Sequence, residues 1–384
     1  MSTRTGAAAL AVLLLLVSGC TDEEPEGTQR NVPETASPSS DRPTDPATKP
    51  GKAVEPPSAA SVVDTVTTGL TSPWGMAFLP DGDALVSERD TGLIKRVPSN
   101  AGGVTVVGEI PEADASSEGG LLGLAVHPRF PAQPWVYAYY STEVDNRVVR
   151  MRYGDGRLGE QQVLLDGITV GAIHNGGRIA FGPDGNLYVA TGDGSERERA
   201  QDRTSLNGKI LRLSANGEPV ADNPFGPASP VFSYGHRNVQ GITWDDAGNL
   251  FASEFGQDTW DELNLIEAGG NFGWPIVEGK GSTDAEYVDP LVQWNPEEAS
   301  PSGITWAQES VWMTGLRGER LWQIGVTEDG LVRGEPQDFL SGEYGRLRTV
   351  EAAPDGTLWL ITSNTDGRAD PREGDDRILR LELR

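Results

Sequence analysis

The chain of 384 residues sets 31 lysines and arginines against 57 aspartates and glutamates, for a net charge of −26. That balance argues against nucleic acid as a partner, because phosphate binding rests on Lys and Arg, and it reads as a solubilising surface. A single cysteine excludes an internal disulfide framework, so the fold must rest on its own core.

The segment 1–20 reads as an export signal: Arg4, then an apolar run, then small residues before Cys20. The run is too short and wrongly flanked to span a membrane as a helix. Its end, VSGC, resembles the bacterial lipobox. That implies lipidation of Cys20 and an exported protein held at the outer face of the cell membrane by lipid chains alone. A secreted protein with an incidental cysteine is the alternative. Residues 21–60 are rich in Pro, Ser, Thr and acidic residues, with few large apolar side chains. They cannot bury enough surface to offset ordering entropy and read as a disordered tether. Residues 61–384 turn to Gly, Trp, Val, Ile and Leu and are numerous enough for a core.

One hairpin type recurs through that domain. It starts at Phe78 (FLPDGDALVSER), Phe181 (FGPDGNLYVATGD), Trp244 (WDDAGNLFASEFG) and Ala352 (AAPDGTLWLITSN). Weaker copies start at Leu124 and Ile304. Asp-Gly turns between runs of branched and aromatic residues are hairpin chemistry. The turns lie roughly 47 to 62 residues apart, room for one four-stranded antiparallel sheet each. Six such units predict an all-β, six-bladed β-propeller. A β-helix has a shorter period, and a sandwich would not repeat the motif six times.

In a propeller the hairpin ends opposite the turns converge on one face. The second blade brings Glu118, ahead of a glycine pair. The third brings His174 and Asp193 from opposite strands, an imidazole in reach of a carboxylate, as a general base with an orienting acid requires. The fourth brings Arg237 and Asn238, with Gly256 and Gln257 opposite. The fifth brings Arg317. The sixth brings Arg346 and Arg348, two apart and so on one side of a strand. Four arginines exceed what a neutral sugar needs and suit a ligand with several carboxylates. His127 and His236 read as structural.

These pieces, with EGGLLGLAVHPRF, HNGGRIAFGPDGNLYVATGD, GHRNVQGI, SEFGQDTWDELNLIEAGGNFGWP, PSGITW and GRLRTV in order, resemble the glucose/sorbosone dehydrogenase family, the soluble quinoprotein aldose sugar dehydrogenases. The resemblance implies a six-bladed propeller that uses pyrroloquinoline quinone (PQQ), a flat tricarboxylate, with calcium. It implies oxidation of an aldose at its anomeric carbon to a lactone, hydride passing to the quinone and electrons on to an external acceptor. By the same resemblance His174 is the catalytic base and Asp193 its orienting carboxylate. Arg237, Asn238, Arg346 and Arg348 contact the cofactor, and the backbone carbonyls of Gly256 and Gln257 hold the calcium. Glu118 stands where some members carry glutamine, and Arg317 where some carry lysine. An ionised Glu118 would repel the cofactor's carboxylates unless turned away or protonated. A carbohydrate- or protein-binding propeller without redox chemistry and a calcium-dependent lactonase are the rival readings.

Overall fold

Each turn of the repeat is fixed by its own residues. In the PDG turns the aspartate accepts the N–H two residues on: Asp81 from Asp83 at 3.1 Å, Asp184 from Asn186 at 3.0 Å, Asp355 from Thr357 at 3.0 Å. The glycine between takes the left-handed backbone that side chains resist, with φ of 75° at Gly185. The computed structural model describes residues 56–100 and 102–384. The export signal, Cys20 and all but the end of the expected tether lie outside the described residues.

All six expected hairpins form, and each opens a four-stranded antiparallel sheet. The architecture is a six-bladed β-propeller. Its inner strands are Pro73–Phe78, Leu121–Val126, Ile179–Phe181, Val239–Trp244, Pro301–Ala307 and Leu347–Ala352. Each touches the next, and the sixth touches the first. Among the described residues the helical structure is one 3-10 turn, Arg197–Ala200. The sixth blade takes its outer strand, Ala60–Thr67, from the start of the domain, pairing Ala60 with Leu383. Ser58 and Ala59 already donate to the carbonyl of Arg384, at 2.6 and 2.9 Å.

The apolar core lies between neighbouring blades. Tyr137 and Tyr139 of the second blade pack on Leu187, Val189 and Leu211 of the third, and Trp312 of the fifth on Leu358, Leu360 and Leu379 of the sixth. Each such side chain contributes roughly 1.5–3 kcal/mol on burial.

Around the axis, packing tightens to backbone contact. In the inner strands, or just ahead of one, stand Gly75, Gly123, Arg178, Gly241, Gly303 and Thr349. A Cβ on Gly123 would lie 2.2 Å from the Gly177 carbonyl, and one on Gly241 2.5 Å from that of Ser302. Five inner strands also shift register just there, between Pro73 and Met76, Leu121 and Leu124, Val239 and Gly241, Pro301 and Ile304, and Leu347 and Thr349. Such bulges re-aim side chains that a regular strand would send sideways.

Because the Gly123 contact is with backbone, no rotamer change relieves it. Gly123→Ala should destabilise the propeller by roughly 1–3 kcal/mol, read as a lower denaturant midpoint at unchanged m-value.

Candidate active site

The loop from 170 to 178 presents His174 with a positive φ of 63°, a conformation non-glycine residues rarely hold. Neighbours fix it there. Its N–H donates to Glu118 Oε2 at 2.9 Å, and its carbonyl accepts the Gly194 N–H at 3.1 Å. A Cβ on Gly192 would lie 1.9 Å from that carbonyl, so only glycine fits beside it. The ring's Nδ1 meets Asp193 Oδ1 at 2.8 Å. Asp193 is nearly sealed, its side chain 2% exposed against 11% for His174. It also accepts Trp274 Nε1–H at 2.9 Å and the Ser195 N–H at 2.8 Å. Burial pushes the Asp193 carboxyl up, but His174, Trp274 and Ser195 outweigh it and hold it below its ordinary value. The ionised carboxylate therefore keeps a proton on Nδ1 and leaves Nε2 as the basic atom.

Beside this pair the top of the channel opens into a cleft lined by Trp74, Arg89, Glu118, Gln240, Arg348 and Arg368. Arg346 and Arg348 share Asp366, whose Oδ2 lies 3.2 and 3.7 Å from them. Burial, then Arg346, pushes Arg348 down to about 9, so it remains a cation at neutral pH. Arg178 reaches between blades: it stacks on Trp74 at 4.3 Å and donates to the Gln240 carbonyl and Thr349 Oγ1, each at 2.9 Å. Three buried donors near the cleft have no partner: Arg237 Nε, Asn238 Nδ2 and Arg348 Nε. Unmatched buried donors of this kind mark a place for an acceptor.

Arg237 and Gly256 line an adjoining smaller cavity, with Phe255 on the wall between it and the cleft. The N–H groups of Gly256 and Gln257 are tied to Asp261 at 2.9 Å and Glu278 at 2.7 Å. No hydrogen bond among the described residues reaches their carbonyl oxygens. His236 is sealed between Ser233 Oγ and Glu254 Oε2, both at 2.8 Å, and the other oxygen of Glu254 accepts the Arg237 N–H. His236 thus joins the third blade to the fourth. His127 lies away from the cleft, accepting the Arg129 N–H at 3.0 Å and facing Phe181.

The family model for glucose/sorbosone dehydrogenase matches residues 70–379. The chain belongs to the glucose/sorbosone dehydrogenase family. The PQQ-bound aldose sugar dehydrogenase of Streptomyces coelicolor is 55% identical and superposes with a TM-score of 0.82, covering 86% of this chain and all of that one. A putative glucose dehydrogenase of Thermus thermophilus is 46% identical, with a TM-score of 0.79 over 84% of this chain and all of its own. The aldose sugar dehydrogenase of Escherichia coli is 29% identical over 79% of this chain and 91% of its own length.

Not every expected residue of the family site converges. Arg317 points away: its side chain is 58% exposed and pairs with Glu297 at 3.1 Å, while Leu316 beside it lines the cleft. Glu118 lines the cleft and is neither turned away nor protonated. Burial pushes its carboxyl up, but the His174 N–H and Arg368 outweigh that and hold it below the ordinary range. The shared side of Arg346 and Arg348 also arises differently than strand alternation implies. Arg346 precedes the strand and Arg348 occupies its bulge; Asp366 is what brings them together. Sequence reading missed Arg89, Arg178, Trp274, Asp366 and Arg368. Only Arg178 carried a signal, as the one long side chain at a position otherwise Gly or Thr.

Folding favours ionised Asp193, so its contribution is present above the ordinary carboxylate pKa and is lost as pH falls through the lower folded value. Trp274→Phe removes one donor and raises that folded value. The variant should lose roughly 1–3 kcal/mol near neutrality, and its acid destabilisation should begin at higher pH. Denaturant midpoints along an acid pH series check this; an acid limb identical to wild type would mean that the indole does not hold Asp193.

Proposed function

We propose that this protein is a PQQ-dependent aldose sugar dehydrogenase that oxidises the anomeric carbon of a sugar to a lactone and passes electrons to an external acceptor. The observation that carries the reading is the His174–Asp193 pair, with basic Nε2 beside an arginine-lined cleft that holds unpartnered buried donors. Family membership and the likeness to a PQQ-bound aldose sugar dehydrogenase support it.

The donor set suits a flat tricarboxylate. Arg348 and Arg346 would take carboxylates, and Arg237 and Asn238 would supply further hydrogen bonds. Calcium, a hard cation, fits the free carbonyls of Gly256 and Gln257. Bound PQQ supplies the acceptor for the hydride leaving the sugar's anomeric carbon. The chain supplies the rest. His174 Nε2 takes the proton of the anomeric hydroxyl, Asp193 stabilises the imidazolium that results, and Trp274 and Ser195 hold Asp193 still. A base so positioned contributes typically about 10²–10⁴-fold.

A calcium-dependent lactonase would draw its metal with side-chain carboxylates. Among the described residues no group of three or more His, Cys, Asp or Glu is arranged to hold a metal ion. A pure binding module has no use for an imidazole oriented by a nearly sealed carboxylate.

Purified protein given PQQ and calcium should reduce a redox dye when aldoses are added. His174→Ala should lower kcat by roughly 10²–10⁴-fold while PQQ binding, followed by calorimetry, persists. Absence of both dye reduction and PQQ binding in the wild type would overturn the reading. We also propose that Cys20 carries the lipid anchor. Cys20→Ala should then move the protein from the membrane fraction to the soluble exported fraction, and an unchanged distribution would exclude the anchor.

A further inference from the structure

A carboxylate stands on the wall of a cleft built to receive carboxylates. Glu118 meets this conflict with two partners, one for each oxygen. Oε2 accepts the N–H of His174, and Oε1 accepts Nη2 of Arg368, both at 2.9 Å. Arg368 reaches over from the sixth blade, two residues beyond Asp366. Asp366 Oδ1 accepts the Arg368 N–H at 3.0 Å, while its Oδ2 holds Arg346 and Arg348. One short segment therefore touches both the arginine pair and the residue that fixes the backbone of the base.

We infer that Glu118 is a positioning residue that braces His174 through its N–H, and that Arg368 is the charge compensator that makes a carboxylate tolerable at that wall. The inference rests on the PQQ-binding function proposed above. A glutamine at 118 would brace His174 through its amide oxygen and bring no charge, so it would need no compensator. Glutamate needs one, because an unpaired anion beside an anionic ligand repels it. Arg368 is partly exposed, so its replacement leaves the core intact.

The test compares wild type, Arg368→Met, Glu118→Gln and the double variant, titrating apo-protein with PQQ by calorimetry. Arg368→Met should weaken PQQ binding roughly ten- to a hundredfold. Glu118→Gln should bind at least as tightly as wild type, and the double variant should return to within about threefold of it. A double variant no tighter than Arg368→Met would mean that Arg368 acts by touching the ligand, and would overturn compensation. Equal binding by all four proteins would overturn it as well. Wild type that binds no PQQ would instead overturn the proposed function and this inference together. The brace has its own readout. Glu118→Ala should lower kcat roughly ten- to a hundredfold with KM for the sugar little changed, and Glu118→Gln should keep kcat. Equal kcat in the Ala and Gln variants would overturn the brace.

Discussion

Six inner strands meet around an axis so narrow that backbone touches backbone, and every other feature of the site follows from that approach. Four of the six positions at the tightest level are glycine and one is threonine. The sixth, Arg178, fills the space the others leave. Its guanidinium binds the Gln240 carbonyl of the fourth blade and Thr349 Oγ1 of the sixth, and Thr349 in turn donates to the Trp74 carbonyl of the first at 2.7 Å. One cation from the third blade thus joins four blades. The indole of Trp74 covers the guanidinium, a cation–π contact that strengthens away from water. Burial nevertheless pushes Arg178 down to about 10. So costly a buried charge is held by the closure of the ring and by no single neighbour.

Close approach also accounts for the bulges. A regular strand sends alternate side chains to its two faces, and in a blade both faces are covered by neighbouring blades. An extra residue breaks that alternation where the inner strand meets the cleft. The register shifts bracket Trp74, Gln240 and Arg348, and all three line the cleft. The fold therefore makes part of the cleft wall from residues left out of the ladder.

Charge in the cleft is arranged in advance. Arg346 and Arg348 share Asp366, Arg368 meets Glu118, and Arg89 meets Asp90 at 2.7 Å. Without those carboxylates, buried guanidiniums so close together would repel one another and drift toward solvent. With them, the arginines are held, and unsatisfied N–H groups remain on Arg237 and Arg348. A ligand then meets donors already fixed in place and avoids much of the entropic cost of ordering them.

What could be read from the sequence divides along the same line. The hairpins were legible because three of their turns are Asp-Gly pairs fixed by bonds two residues long, and six hairpins in series allow few folds. His174 and Asp193 could be paired because one hairpin carries both. The closing strand, Ala60–Thr67, was not legible, since its partner lies at the other end of the chain. Nor was the answer to Glu118, because Arg368 is 250 residues away. Arg317 misled for a related reason: its type and spacing fit the cleft, but Glu297, from the preceding loop, draws it to the surface. Periodicity and turn chemistry report what a segment does alone. The charge pairs that make the cleft workable join segments from different blades, and they exist only once the ring has closed. A substitution such as glutamate for glutamine at 118 therefore reads in the sequence as a defect. In the folded ring its charge is matched from the opposite end of the chain.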